Sequence, residues 1–548
     1  MKKRIFIGLM LITALIAFSF TAPTDRYFEI AKNLDIFATL FKEVNSLYVD
    51  DVNPNKLIKT GIDGMLESLD PYTNYIPEDM VEDFKRMNTL QYDGIGATLS
   101  RLNSRTVVTM IFENYPAQKA GLKIGDEILK IDNAEVSKLT IEQEDQLLKG
   151  QVGTSVSLTI KRMGVEQPLK LNFKREKIKG SNVPYSGMLE NNIGYIQLLE
   201  FTMDASKEVK NALTTLKKNG ARAVILDVRG NPGGLLTEAV NICNIFIPRG
   251  KLVVSTKGKI PEQNHNYETL DDAVDSDIPM AVLINRGSAS ASEIVAGTLQ
   301  DYDRAVVIGE KSYGKGLVQV SRLLSYNAQL KVTTAKYYTP TGRCIQVLDY
   351  SHRRNDGSVG TIPDSIKQPF KTTSGRTVYD GGGIDPDVKI PHVDLHAVAQ
   401  KLYESGSIFD YATVYALTHS PLPNPRSFTL SNDEYSQFTA WMKTRKFTYT
   451  SNFDKQLQIV NQEAKREKYY ADVKAQLDLI GTKVEESKKN ELQLYKDEVK
   501  QMLEEDIASR YYLEKGSIEV GFKYDQEIKK ASEVLLNTIQ YKKILNLK

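Results

Sequence analysis

The 548-residue sequence is poor in the side chains that build metal centres and disulfide frameworks. It has two cysteines and five histidines, all scattered along the chain. The two cysteines, Cys243 and Cys344, allow one disulfide at most, and their apolar or strand-like surroundings are as typical of two buried free thiols. No group of residues has the spacing of a metal site. The sequence therefore gives no indication of a metalloenzyme, and we expect no cofactor.

An excess of charge of one sign is also lacking. Lys and Arg number 71 and Asp and Glu 69, for a formal net charge of +2. Without the three basic residues of the first segment the charge is −1. Neither value indicates a nucleic-acid partner. With 41% apolar and 26% charged residues, the composition is that of a globular protein long enough for several domains.

Long hydrophobic runs are confined to the start of the chain. Residues 2–4 are basic, and residues 5–20 form an apolar run. This pattern predicts a secretory signal peptide over residues 1–22, cleaved near Phe20. The run is slightly short for a membrane span, and an uncleaved anchor is the alternative. In both cases we expect export, with the bacterial periplasm as the location and the inner membrane as the site of any anchoring.

Residues 281–319 carry the pattern around which the rest of the chain is organised. An apolar strand over 281–284 runs into the small-residue turn GSASA at 287–291, and a helix is predicted from Ser292 to Leu299. A strand–turn–helix presents a serine at the edge of an α/β sheet, together with exposed amides and the positive end of a helix. A developing oxyanion needs such donors. Spacing alone does not choose between the serines at 288, 290 and 292.

The usual base for such a serine is missing, because no histidine lies between residues 287 and 319. Lys315, between two glycines, is the available replacement. A lysine accepts a proton if burial lowers its pKa from about 10.4 to about 7–8. The residues around Lys315 carry no charge, whereas Lys311 follows Glu310, which would keep it protonated. The sequence therefore favours Lys315.

The two runs GSASASEI (287–294) and GKGLVQ (314–319) resemble those of the C-terminal processing peptidases, or tail-specific proteases. That family uses a serine–lysine dyad. The resemblance implies that Ser290 is the nucleophile, that Lys315 is the base and that Gln319 orients the lysine.

The run DVRGNPGG at 227–234 resembles a glycine loop of the same family. The resemblance implies an oxyanion hole formed by the amides of Gly233 and Ala291, with Gly234 as the alternative to Gly233. It also places a family aspartate on Asp301, for which we expect a structural role. Two further segments complete the family pattern: YTPTGRCIQ at 338–346 and GGIDPD at 382–387.

A separate stretch carries three motifs: GIGA at 94–97, PAQKAGLKIGDEIL at 116–129 and VSLTIKR at 156–162. Together they resemble those of a PDZ domain. A peptide carboxylate needs a nest of amide donors, and an extended peptide needs an open sheet edge. The resemblance implies that Gly94, Ile95 and Gly96 bind peptides with free apolar C-termini. Arg162 is either a substrate-sensing arginine or an ordinary surface residue.

The fold class expected is a multidomain α+β/α/β protein. A PDZ domain is inserted before a ClpP/crotonase-like α/β peptidase core, with helical N- and C-terminal regions. The C-terminal region shows no usable motif, and its apolar stripe at helical spacing (Leu492, Tyr495, Val499 and Met502) predicts a core face. The predicted segments are a signal peptide (1–22), a helical region (23–90), a PDZ domain (91–178), the core (179–391) and a helical domain (392–548).

The function expected is that of a serine endopeptidase that recognises C-terminal tails and processes or degrades exported proteins. Its partners would be protein substrates, with a homo-oligomer or an adaptor protein compatible and nucleic acid excluded. One alternative is a PDZ scaffold or chaperone with an inactive or partner-gated core, against which the intact Ser290, Lys315 and Gln319 argue. The other is an esterase or amidase, which would not need a PDZ domain.

Overall fold

The computed structural model describes residues 24–548 except 88, 355–356 and 446. The predicted signal peptide lies outside the described residues. Within those residues no helix has the length and apolar character that crossing a bilayer requires. The described residues form two compact units: one contains residues 24–78 together with 319–333, and the other lies within 79–318 and 334–548.

The first unit begins with two helices, α1 (Thr24–Leu47) and α2 (Pro54–Glu67). Helix α2 starts where Asn53 accepts a hydrogen bond from the Lys56 amide at 3.1 Å, with proline at the first helical position, which needs no N–H donor. After α2, Asp70 accepts hydrogen bonds from the next turn of the chain and stops the helix. Strand β1 (Asn74–Ile76) then pairs antiparallel with residues 329–331.

The second unit begins with a small β domain. Helix α3 (Val81–Met87) leads into a mainly antiparallel sheet whose strand order is β3-β4-β5-β7-β8, with β6 beside β5 and a separate ribbon of β2 and β9. Strand β3 is at the edge of that sheet. The elements are β2 (Gln91–Gly94), β3 (Ala97–Leu102), β4 (Arg105–Ile111), α4 (Pro116–Lys119), β5 (Glu127–Ile131), β6 (Ala134–Glu135), α5 (Ile141–Leu148), β7 (Ser155–Lys161), β8 (Leu169–Lys174) and β9 (Glu176–Lys179).

The core that follows is built on a six-stranded sheet with the order β10-β11-β12-β15-β16-β23, in which all pairs except β10–β11 are parallel. Its elements are β10 (Tyr185–Met188), β11 (Ile193–Gln197), α6 (Ala205–Lys218), β12 (Ala223–Asp227), α7 (Leu236–Phe246), β13 (Leu252–Gly258), β14 (His265–Glu268), β15 (Met280–Ile284), α8 (Ala291–Asp301), β16 (Val306–Gly309), β17 (Leu317–Leu323), β18 (Gln329–Tyr338), β19 (Leu348–Arg353), β20 (Val359–Thr361), β21 (Pro369–Lys371), β22 (Thr377–Tyr379) and β23 (Val388–Lys389).

Every residue of the central strands β12, β15 and β16 is buried. This is expected for a parallel sheet covered on both faces, whose strands read as continuous apolar runs rather than alternating ones. One face carries α6, α7 and α8 in the largest apolar cluster. The motifs singled out from the sequence, at 227–234 and 287–294, therefore lie at the ends of strands that the core holds in place.

The C-terminal region is helical. Its elements are α9 (Ala397–Glu404), α10 (Ser407–Thr418), α11 (Asn432–Thr444), α12 (Asn452–Arg466), α13 (Tyr470–Lys488), α14 (Glu491–Leu494), α15 (Lys496–Gly521), α16 (Gln526–Leu536) and α17 (Thr538–Ile544). The predicted stripe is a core face: Val499 is fully buried, and the other three residues pack around the same cluster.

The last two helices of the chain cover the second face of the core sheet. Ile528, Ala531 and Val534 of α16 pack in one cluster with buried residues of β11, β12, β15 and β16. The Tyr541 hydroxyl, from α17, accepts a hydrogen bond from the Met280 amide at 3.1 Å. The C-terminal residues are thus part of the α/β core, which the sequence did not reveal.

The β domain also contacts the C-terminal helices. Arg105, at the start of β4, donates to both carboxylate oxygens of Asp410 on α10 at 3.0 Å. Phe409 and Leu513 pack against the apolar core of the β domain. The position of the β domain is therefore set by α10 and α15.

The predicted fold class is confirmed, with a β domain before an α/β core and a helical C-terminal region. The two cysteines are free thiols: Cys243 is buried and Cys344 half-buried. The alternative of a disulfide between them is wrong.

Replacing Asp410 tests the contact between the β domain and α10. We expect Asp410→Ala to lower the free energy of unfolding by about 1–3 kcal/mol, because Arg105 loses two charge-assisted bonds. Urea denaturation measures this loss. The matched control is Asp394→Ala, whose side chain is 93% exposed and should contribute little. Equal stabilities of the two variants would contradict the assignment.

Candidate active site

The turn between β15 and α8 holds Ser290 in an unusual backbone conformation, with φ 55° and ψ −112°. A residue with a side chain rarely adopts positive φ, and such strain persists only where neighbours impose it. Here the Ser290 amide donates to Glu293 Oε2 at 2.8 Å, and the buried Tyr337 hydroxyl donates to the Ser290 carbonyl at 3.1 Å. Hydrogen bonds thus fix both the amide and the carbonyl of Ser290.

The hydroxyls of the other two serines in the motif are occupied. Ser288 donates to the Val228 carbonyl at 2.8 Å and accepts from the Asn285 amide at 3.0 Å. Ser292 donates to the Asn231 carbonyl at 2.9 Å. Both residues are completely buried, whereas Ser290 is only half-buried. Of the three serines that spacing left open, Ser290 is the one that a substrate can reach.

Glu293 is the polar centre of the site and was not singled out from the sequence. Its completely buried carboxylate accepts four hydrogen bonds. Oε1 accepts from the Ser312 hydroxyl at 2.5 Å and the Gly314 amide at 2.6 Å. Oε2 accepts from the amides of Ser290 at 2.8 Å and Lys315 at 2.9 Å. One carboxylate therefore fixes the backbone of both predicted dyad residues.

Burial and hydrogen bonding have opposite effects on the pKa of the Glu293 carboxyl. Desolvation raises its pKa from 4.5 to about 7, against the four donors, which lower it. The signal that could have found this residue is its place in the helix: it is the third residue of α8, where an acidic side chain reaches back to the capping residue.

Lys315 lies on a loop between Gly314 and Gly316, where there is no space for a side chain on either neighbour. Gly314 has φ +86°, and a Cβ there would lie 2.0 Å from Val347 Cγ2. A Cβ on Gly316 would lie 2.8 Å from the Gln346 amide nitrogen. The two glycines thus let the loop pack directly against residues 346–347.

Two expectations about the lysines need correction. The surroundings of Lys315 do include an ionisable group, because the Glu293 carboxylate is bonded to its amide. Lys311 Nζ lies 3.6 Å from Asp385 Oδ2, while Glu310 is in an ion pair with Arg286 at 3.1 Å. The described ion pair of Lys311 is therefore with Asp385.

Gln319 lies on β17, whose residues from 319 onward belong to the first compact unit. There its Nε2 donates to the Thr333 hydroxyl at 3.2 Å.

Gly233 approaches the serine turn so closely that a side chain is excluded. It has φ +100°, and a Cβ would lie 2.8 Å from Ser290 Cβ and 2.9 Å from the Ala291 nitrogen. The Gly233 N–H donates to Asn231 Oδ1 at 2.9 Å. The Ala291 N–H opens the helix, where the first amides have no intrahelical acceptor. The two predicted oxyanion residues are thus brought together, with the Gly233 donor bonded to Asn231.

Asn231 joins the glycine loop to the serine turn and was also missed as a site residue. It is fully buried, and its Nδ2 donates to the Leu198 carbonyl at 2.8 Å. Its own carbonyl accepts from the Ala289 amide at 3.0 Å and from the Ser292 hydroxyl. Asn231 therefore couples β11, the glycine loop and α8.

Arg229 connects the same loop to the C-terminal helices. Its guanidinium binds Asp227 at the end of β12, Asp525 at 2.7 Å and Glu527 at 3.3 Å. The start of α16 thus holds the loop that carries Gly233.

Asp301, at the end of α8, has a structural role, as expected. Its Oδ1 accepts from the buried Arg343 at 2.7 Å, and its Oδ2 accepts from the amide and hydroxyl of Thr341 at 3.0 and 2.8 Å. The aspartate therefore fixes the segment after β18 to the serine-bearing helix.

The predicted peptide-binding residues form one loop between β2 and β3. Gly94 pairs with Glu176 of β9, and the Ile95 carbonyl accepts from the Ala117 amide at 2.8 Å. Gly96 has φ +77°, and a Cβ there would lie 2.5 Å from Tyr115 Cβ. The loop is thus tightly supported at the start of the edge strand β3.

Arg162 is engaged inside the β domain. It donates to Asp126 at 2.7 and 2.8 Å and to the Gly121 carbonyl at 2.7 Å. In this conformation it has a structural role. Across the described part of the chain, no three His, Cys, Asp or Glu side chains are grouped to hold a metal ion.

Replacing Glu293 tests its unusual environment through stability. The native carboxyl titrates near pH 7 and the unfolded one near 4.5, so the unfolded state loses its proton first. The quantity compared is the free energy of unfolding of the wild type minus that of Glu293→Gln. We expect this difference to be largest below about pH 4.5 and to decrease as the pH rises to about 7. Urea denaturation across this range measures it, with Glu190→Gln, an exposed carboxyl, as the reference. A difference that rises with pH would show that the four donors outweigh burial.

Comparison with known proteins assigns all three regions. Peptidase family S41 matches residues 192–350, a PDZ domain matches 94–173, and the family described as "Probable PDZ-protease, C-terminal helical domain" matches 398–535. The last match covers a region in which motif reasoning found nothing to use.

Similar proteins include a carboxy-terminal-processing protease of Bartonella bacilliformis, 36% identical over 376 residues, which cover 67% of this chain and 83% of the relative. A probable CtpA-like serine protease of Staphylococcus aureus strain MRSA252 is 35% identical over 384 residues, covering 69% of this chain and 75% of the relative. Among solved structures, the photosystem II D1 C-terminal processing protease is 24% identical with a TM-score of 0.33, covering 68% and 96% of the two chains. With the first relative matched over most of its length, this chain belongs to peptidase family S41, as a carboxy-terminal-processing serine protease with a PDZ domain.

Proposed function

We propose that this protease cleaves by a Ser290–Lys315 dyad after its PDZ domain has bound the free C-terminus of a protein substrate. The observation that carries the proposal is the Glu293 carboxylate, which binds the amides of both residues. Through this carboxylate the two backbones keep a fixed relation, as a nucleophile and its base require.

The reaction follows from these positions. Lys315, in its neutral form, accepts the proton of the Ser290 hydroxyl as the oxygen attacks the scissile carbonyl. The same lysine then protonates the leaving amine, and later removes a proton from the water that hydrolyses the acyl-enzyme. Gln319, four residues along the chain, is the group that we propose to orient the lysine amine.

The oxyanion is proposed to be held by the N–H groups of Ala291 and Gly233. Support comes from the close approach of Gly233 to Ser290 and from the position of the Ala291 amide at the start of α8. For Gly233 to take part, its N–H has to turn from Asn231 Oδ1 to the oxyanion. Gly234 is the alternative second donor. Such preorganised donors supply much of the rate enhancement in acyl transfer.

Substrate capture is proposed to occur on the edge strand β3. A peptide that adds to this edge antiparallel would end at the loop 94–96, where the amides of Gly94, Ile95 and Gly96 would bind its terminal carboxylate. The apolar core next to this loop favours substrates ending in small or apolar residues.

We also propose that the protein acts on exported substrates in the periplasm. The support is in the sequence, in the basic start and apolar run of residues 1–22.

Single substitutions test the dyad. We expect Ser290→Ala and Lys315→Ala each to lower kcat/KM at least about 1000-fold, because the nucleophile and its base act as a unit. Cleavage of an unfolded protein with an apolar C-terminus measures this, with Lys311→Ala as the matched control that should keep its activity. Full activity in Ser290→Ala would place the nucleophile elsewhere.

Amidation of the substrate tests capture of the tail. Amidation removes the negative charge that the loop amides would bind, so we expect a higher KM and weaker cleavage by wild type, by about tenfold or more. Two otherwise identical peptides, one free and one amidated, are compared at equal concentrations. Equal cleavage would leave the dyad in place and remove the tail-reading role.

A further inference from the structure

Arg175 is a deeply buried arginine beside the proposed carboxylate loop. It is 9% exposed and, in the described part of the chain, it has no carboxylate within ion-pair distance. An arginine cannot lose its charge in a protein, and burying such a charge is costly unless it is fully bonded. A buried cation without an anion therefore needs an explanation.

The guanidinium is held by backbone carbonyls at the end of helix α5. Arg175 Nε donates to the Leu148 carbonyl at 3.0 Å and Nη2 to the Leu147 carbonyl at 2.7 Å. Nη1 donates to the Thr154 hydroxyl at 2.9 Å and the Ser155 carbonyl at 3.1 Å. These contacts fix the group without neutralising it.

Two independent features place this charge next to the loop. Arg175 directly precedes Glu176, which is the residue paired with Gly94 in the β2–β9 ribbon. The Leu148 carbonyl, bonded to Arg175, lies 3.9 Å from the position of a Cβ on Gly94. The arginine and the start of the loop thus share a common neighbour.

Helix α5 also lies along the edge strand where a peptide would add. Its last residue, Leu148, is near Gly94, which ends β2 and begins the loop that leads into β3. Near its beginning, Arg101 of β3 donates to Glu144 and, at 3.1 Å, to the Leu139 carbonyl. The C-terminal end of the helix therefore directs the negative end of its dipole toward the place where a carboxylate would bind, and Arg175 is the group that binds its last carbonyls.

We infer that Arg175 is the fixed positive charge of the C-terminal carboxylate site, covering the helix-end carbonyls that would otherwise repel the ligand. The inference rests on the proposed capture of a substrate carboxylate by the loop 94–96. Arg175 acts through the field at that loop, so it is a positioning and specificity residue rather than a catalytic one. The group recognised is the carboxylate at the free end of a polypeptide.

The test compares the affinities of one apolar-ended peptide in its free-acid and amidated forms. The full chain is used with Ser290→Ala to prevent cleavage, and fluorescence anisotropy gives both Kd values. With Arg175→Gln, which keeps N–H donors for the carbonyls, we expect the preference for the acid to fall by about tenfold. The affinity for the amide should change little.

The matched control is Lys174→Gln, an equal charge change at the exposed neighbouring residue of β8. It should keep the preference for the acid. A preference that is unchanged in Arg175→Gln, while wild type discriminates, would overturn the inference and leave tail capture intact. Wild type that binds acid and amide equally would overturn the proposed capture and this inference with it.

A measurement on the Ser290→Ala protein alone covers the case in which Arg175→Gln does not fold. A buried charge is screened much less by salt than surface lysines are. The preference for the acid should therefore change less than about threefold between about 0.05 M and about 0.5 M NaCl. Its disappearance in high salt would assign the discrimination to surface charges and overturn the inference.

Discussion

The site depends on one buried carboxylate with four hydrogen bonds. Glu293 binds the amides of Ser290 and Lys315, which lie on different segments after neighbouring strands of the core sheet. A buried carboxylate has a high free-energy cost unless its oxygens accept hydrogen bonds. If the two segments separated, Glu293 would lose these bonds, so the carboxylate holds them together. The positive φ of Ser290 persists for the same reason.

A second constraint is the close approach of the glycine loop to the serine turn. Gly233 lies where any side chain would overlap Ser290, and Asn231 binds both the loop and the turn. Arg229 extends this network to α16 through Asp525 and Glu527. The site is therefore built from three parts of the chain that are distant in sequence.

The C-terminal helices have a structural function that explains their presence in the chain. The last two of them, α16 and α17, bury the second face of the core sheet, and a parallel sheet needs both of its faces covered. Helix α10 binds the β domain through Asp410. A change in these helices would therefore reach both the position of the PDZ domain and the loop of Gly233. The regions that we propose for tail capture and for cleavage thus contact the same set of helices.

The sequence by itself determined the elements and the motifs: the buried strands around β12 and β15, helix α6 at Ala205–Lys218, and the runs that contain Ser290, Lys315 and Gly233. Local periodicity encodes the strands and the helix, whereas the three runs were identified by their resemblance to the family. Glu293, Asn231 and Arg175 were not found in this way, since the hydrogen bonds that join each of them to another part of the chain span 19 or more residues of sequence, and only close packing brings these groups together. The tertiary structure alone decided three further points, because burial and hydrogen-bond partners are properties of the packed chain. It showed that the hydroxyls of Ser288 and Ser292 are already hydrogen-bonded, that Asp385 is the carboxylate beside Lys311, and that α16 and α17 cover the core sheet.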